Sequence, residues 1–260
     1  MRRLVLCLGL FLAGPLAGRA AESEEPASIE FSAGAWVDVD ATGKAHVVEM
    51  DRSGRLEDDG KAASLVDVIN ARLRGRIESW QFDPPTKNGV AVSGRTHVDM
   101  TVLAEDDGSG DIRLRVKQAH TGLVMKQRPS FMPLVFEMGG ASGWKLLFHL
   151  EIDPEGHVTD ARIVDSRIFD GKEFVARRST YDLTRVALRT VRQLEFEMEQ
   201  VDGQPIAGNG ALPVRLCMSG SAACNDPISD EGDEGDASQV EFAAANPAIG
   251  LRTDVANMLL

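Results

Sequence analysis

Cysteine is scarce in this 260-residue chain: Cys7, Cys217 and Cys224 are all it has. The five histidines, His46, His97, His120, His149 and His157, show no metal-ligand spacing. No G-x-S-x-G, no H-E-x-x-H and no phosphate loop occurs. Ser130, Ser179 and Ser219 have no base beside them. No catalytic set, metal or cofactor is therefore expected. Basic charge is also short, with 28 Lys and Arg against 40 Asp and Glu. That balance repels phosphates and anionic lipid, which argues against nucleic acid and favours solubility or a basic protein partner. Long apolar runs are missing after residue 20, so no second membrane span is expected.

The one such run is at the start. Arg2 and Arg3 precede Leu4 to Leu12, Pro15 breaks the run, and Gly18 and Ala20 suit cleavage before Ala21. Residues 1–20 read as a cleavable signal peptide and the mature protein as periplasmic. The alternative is an uncleaved signal acting as an inner-membrane anchor. Removing Arg2, Arg3 and Arg19 leaves 25 basic residues against 40 acidic, a net charge of about −15. In an oxidising compartment Cys217 and Cys224 read as a small-loop disulfide, with a two-thiolate metal site as the rival.

What is present is one pattern written twice. "VDVDATGKAHVVEMDRS" (Val37 to Ser53) aligns without a gap on "LEIDPEGHVTDARIVDS" (Leu150 to Ser166). Each is an alternating apolar segment, an Asp, a four-residue turn ending in Gly43 or Gly156, and renewed alternation. "DVDATGKAHVVE" also matches a calcium-binding loop. Both flanks read as strands, however, and the second copy has Arg162 where a bidentate Glu is needed. The stretch reads as a hairpin turn.

A helix follows each hairpin. Leu65, Ile69, Leu73 and Ile77 form one apolar stripe; Leu183, Ala187, Val191 and Leu194 form the other. Ser64 with Asp67, and Ser179 with Asp182, read as helix-opening capping pairs. Each unit closes with a tight turn, Asn88-Gly89 or Asp202-Gly203, and a last strand. The expected fold class is α+β: two similar ββαβ modules, each a small antiparallel sheet with one helix across a face.

Trp80-Gln81-Phe82-Asp83-Pro84-Pro85, followed by Gly89 and Val92, resembles the W-x-F-x-P-A…G-x-x-V stretch of TonB C-terminal domains. The hairpin with its D-x-x-G turn is similar to that family's, and the second copy resembles it with Leu194 in place of Trp. The resemblance spans roughly residues 33 to 105 and 143 to 220. It gives Trp80, Phe82, Pro84, Pro85, Gly89, Gly43 and Gly156 structural roles. It implies recognition of an outer-membrane TonB-dependent receptor by strand addition. The docking edges carried over are His97, Val98, Asp99, Met100, Thr101, Val102 and Leu103, and Pro213, Val214, Arg215, Leu216, Cys217 and Met218. The sequence departs from a full transducer in its cleavable signal, its lack of a long Pro-rich spacer and its lack of the family's Y-P opening.

The expected organisation is module 1 over 33–105, a connecting segment over 106–142, module 2 over 143–224, an acidic disordered linker over 225–239 and a tail over 240–260. Ile112, Leu114 and Val116 alternate with Arg113, Arg115 and Lys117, which predicts a strand with a solvated basic face. "PSFMPLVF" reads as packing across both units, and the apolar tail as docking on the body or on a partner. The function expected is non-enzymatic protein binding in envelope transport or energy transduction. The alternatives are an exported hydrolase-like enzyme with a site between the modules, or a structural or chaperone-like envelope factor.

Overall fold

The computed structural model describes residues 28–51, 60–106, 112–127, 143–169, 184–217, 243–256 and 258–259. The architecture is α+β: mostly strands, with two helices and a curled antiparallel sheet. The signal segment, "PSFMPLVF" and the acidic stretch 225–239 lie outside the described residues.

The first hairpin joins β1 (Ser28–Val39) to β2 (Ala45–Met50). Its turn is built as the sequence predicts. Asp40 Oδ1 accepts from the Thr42 N–H, the Thr42 hydroxyl and the Lys44 N–H, and Gly43 takes φ +83°. These bonds hold the Asp40 carboxyl below its ordinary pKa, the Thr42 hydroxyl contributing most. With that oxygen spent on the turn, the calcium-like spelling is explained without calcium. The second hairpin joins β9 (Gly143–Ile152) to β10 (Val158–Phe169) and repeats the device, with His157 N–H on Asp153 Oδ1 and Gly156 at φ +90°.

Helix α1 (Gly60–Ile77) buries Ile69, Leu73 and Ile77 against the first sheet, and Trp80 beyond it is 1% exposed. The helix starts at Gly60, so Ser64 lies inside it and is not its cap. Lys61, Ala62 and Ala63 are good helix formers and extend it backwards. Helix α2 (184–191) buries Ala187 and Val191 in the second core beside Leu194; the Ser179–Asp182 pair lies outside the described residues. After α1 come β3 (Phe82–Asp83), β4 (Thr86–Lys87), β5 (Val90–Ala91) and β6 (Gly94–Asp106). The connecting segment supplies β7 (Ile112–Gly122) and β8 (Val124–Met125). After α2 come β11 (Phe196–Glu197), β12 (Gln200–Val201), β13 (Gln204–Pro205) and β14 (Gly208–Cys217). Both tight turns have positive φ at both centres, Asn88-Gly89 and Asp202-Gly203, the geometry that matches strand twist. The tail adds β15 (Ala243–Ala244), β16 (Gly250–Leu251) and β17 (Met258–Leu259).

The first sheet runs β6–β1–β2 and the second β14–β9–β10. β1 pairs β6 from Ser28↔Glu105 to Val39↔Gly94, and β9 pairs β14 from Gly143↔Cys217 to Ile152↔Gly208. The other pairings cross between the halves. β8, which follows the first half, pairs β11 in the second, and β16, which follows the second half, pairs β3 in the first. β7 lies along β6, then yields at His97↔Gly122 to the β12–β13 hairpin, which pairs Gln200↔Arg95 and Val201↔Gly94. Two of the basic residues of β7 meet acids within the sheet, Arg115 at 3.3 Å from Glu105 and Lys117 at 2.8 Å from Glu30.

A Cβ at Gly156 would collide with the Phe196 carbonyl, whereas one at Gly203, also at positive φ, meets nothing within 4 Å. Gly156→Ala should therefore lower unfolding free energy by about 2 kcal/mol or more, and Gly203→Ala by about 1 kcal/mol. Urea denaturation of the two variants checks this; equal losses would show that the Phe196 contact is irrelevant.

Candidate functional site

β6 carries the first predicted docking edge, His97 to Leu103, and it is not an edge. β1 pairs it on one flank and β7 on the other, down to Asp106↔Ile112. Val98 and Val102 are fully buried, and Met100 is nearly so. The Ile112–Leu114–Val116 alternation was the signal: a strand so close in sequence takes the nearest free flank. Pro213 to Cys217 lie on β14 and fare differently. β9 pairs one flank along its whole length, while β15 covers the other only at Gly210 and Ala211. From Pro213 to Cys217 that second flank has no strand partner among the described residues. Met218 and Cys224 lie outside the described residues, and the expected Cys217–Cys224 disulfide with them.

Two further edges differ in how they end. At β2, the end of helix α1 and the residue after it cover the flank at Val47: Glu78 Oε1 accepts from the Val47 N–H and an Arg74 guanidinium N–H donates to the Val47 carbonyl. That blunts the edge with side chains. β10, twelve residues long, pairs only β9 among the described residues. Bulges between Val158 and Asp160, and between Ile163 and Asp165, twist it. Val164 sits at the second bulge, 53% exposed.

The outer face of the first sheet carries a polar cluster that sequence reading missed, because its members come from distant strands. His97 is 3% exposed; its Nε2 lies 2.9 Å from Asp51 Oδ2 and its ring meets Trp36 edge-on at 5.2 Å. Asp99, two residues along the same face, has its pKa raised by burial, opposed by His120 and His97. Gly34 makes room: a Cβ there would strike Asp51 and lie 2.7 Å from the His97 ring. Beside the first turn an open groove of about 420 Å³ is floored by the Asp38–Arg95 pair, whose two bonds measure 2.6 and 3.1 Å. Neither feature contains a nucleophile hydrogen-bonded to a base. Among the described residues no group of His, Cys, Asp or Glu has the arrangement of a metal site.

Where the two halves meet, Glu199 is 4% exposed. Its Oε1 accepts from the Thr96 hydroxyl at 2.7 Å and its Oε2 from the Ala248 N–H at 2.9 Å. Thr96 Oγ1 in turn accepts from the Gly122 N–H at 3.1 Å. Burial raises the Glu199 pKa, and these donors partly offset the rise. Comparison with family models, curated proteins and solved structures finds no match for this chain. The candidate site is accordingly the set of open strand edges: β10 and the far half of β14.

Because Glu199 has a folded pKa above its ordinary 4.5, the folded state binds the proton more tightly than the unfolded chain. Its contribution is fully present below the unfolded value and is lost as pH rises through the folded one. Glu199→Gln should abolish that decline and leave the protein no less stable at pH 7, because the amide oxygen can accept from the Ala248 N–H while the amide NH2 donates to Thr96 Oγ1. Parallel urea titrations from pH 4 to 7.5 check this; identical pH slopes for both proteins would refute it. Gly34→Ala should cost about 2 kcal/mol by separating Asp51 from His97. Thermal melts measure it, and an unchanged melting temperature would refute it.

Proposed function

We propose that this chain is a periplasmic, non-enzymatic protein built from two divergent copies of a TonB C-terminal-like ββαβ unit, and that it binds an extended protein segment by strand addition. The observation that carries the reading is the strand β10, twelve residues long and paired on one side only among the described residues. A free flank exposes backbone N–H and C=O groups that an incoming strand satisfies without any particular side chain. The far half of β14 is the second such flank.

Several features support the two-copy reading. The strand orders β6–β1–β2 and β14–β9–β10 correspond. The bridge Lys44↔Gln81 recurs as His157↔Glu195, one residue before Phe82 and Phe196. Trp80 and Leu194 occupy corresponding places in the two cores. The charge of the chain, 40 acidic residues against 28 basic, suits a partner with a basic surface. An outer-membrane receptor segment in the periplasm is the partner class proposed.

In a pull-down from an envelope extract, TonB-dependent receptors should be enriched on the wild-type protein. Val164→Lys, which places a charge on the free β10 edge at an exposed position, should reduce capture roughly tenfold while leaving the circular dichroism unchanged. Capture that is equal for both proteins would sink the β10 assignment, and the absence of receptors from both would sink the receptor.

A further inference from the structure

The tail already shows strand addition at work, at a place other than β10. Residues 243–253 lie across the junction of the two halves as two short paired stretches joined through bends, and are held mainly through backbone. Ala243 and Ala244 pair β14, Gly250 and Leu251 pair β3, and the Ala248 N–H donates to Glu199. Thr121 Oγ1 donates to the Ile249 carbonyl at 2.6 Å, and the Arg252 N–H donates to the Gln81 carbonyl at 2.9 Å. One side chain is fully sunk: Ile249 is 0% exposed within the first core. The pocket exists because residue 94 is glycine, since a Cβ there would stand 2.7 Å from Ile249 Cδ1. Main-chain pairing plus one apolar anchor is how peptide-accepting clefts read a strand. Across the molecule, Val124 and Met125 add to β11 in the same way.

We propose that this cleft is a second peptide-binding site, distinct from β10, and that residues 243–253 are its resident occupant. Its ligand class is a segment that pairs at both ends and bends between them, with small residues at its start, an aliphatic anchor in the Ile249 position and a glycine after it. The buried Glu199 carboxylate supplies recognition of the peptide backbone by accepting the N–H just before the anchor. Covalent attachment gives the tail an effective concentration of about a millimolar, so an outside segment enters only by outcompeting it. The tail therefore sets the threshold for access.

The test makes the occupant separable. A protease site is inserted between residues 228 and 236 of the full chain, and the purified protein is cleaved. A fluorescently labelled synthetic peptide of residues 240–256 is then titrated and followed by anisotropy. The cleaved protein should keep its circular dichroism and take up the peptide, with the uncleaved protein at least about tenfold weaker. A peptide carrying Ile249→Ala should bind roughly tenfold more weakly or worse. A peptide N-methylated at Ala248, which lacks the proton donated to Glu199, should also weaken. Val164→Lys in the protein should leave uptake unchanged, which separates this site from the β10 reading. Unfolding on cleavage, refusal of the peptide by a folded cleaved chain, or equal binding of the Ile249→Ala peptide would each overturn the proposal.

Discussion

A single buried carboxylate ties the described parts of the molecule together. Glu199 comes from the second half, Thr96 from the first, Gly122 from the end of the connecting strand and Ala248 from the tail, and their polar groups converge in one continuous network. Burying a carboxylate away from water costs several kcal/mol unless donors replace the lost hydration. Every donor here belongs to a different segment, so the network is complete only when all of them are in place. Such an arrangement favours one relative placement of the segments over slipped alternatives, because any slip strands a charge. Glycines let the backbones close in around it: Gly94, Gly122 and Gly208 each sit where a Cβ would collide with a neighbouring segment.

Much of the local structure was legible from residue order. The two Asp-to-Gly turns, the two double-positive-φ tight turns, the helix stripes and the strand from Ile112 to Gly122 all follow from short-range chemistry. Helix α1 starts earlier than its capping pair implied, since good helix formers upstream extend it. The assignment of β6 as an edge was the part that failed. A closing strand looks like an edge when each half is considered alone, and β6 is interior only because β7 follows it so closely. The Glu199 network left no local trace, its partners Thr96 and Ala248 lying 103 and 49 residues away. The Trp36–His97–Asp51 cluster was hidden for the same reason. Periodicity reports on one element at a time, and these contacts exist only between elements.

The sheet edges divide into three kinds with different physical fates. β2 is sealed by side chains of the helix above it, and β6 by a neighbouring strand. β10 has no strand on its outer flank among the described residues and carries two bulges, which distort pairing without forbidding it. In the proposed role this inequality is informative. A protein that needed merely to avoid sticking to itself could treat all its edges alike, whereas β10 has a strand partner on one side only among the described residues.

The crossing of the tail has a consequence for biogenesis. Arg252 bonds Asp83 across 169 residues of chain, and β16 pairs β3 beside it. Because synthesis runs from the N-terminus, the N-terminal half lacks its β16 partner until residues 250 and 251 have been made. Contacts this remote in sequence close slowly, because loop entropy is lost before they form. The early half must therefore wait with apolar surface uncovered, which makes completion of the fold an event timed by the C-terminus.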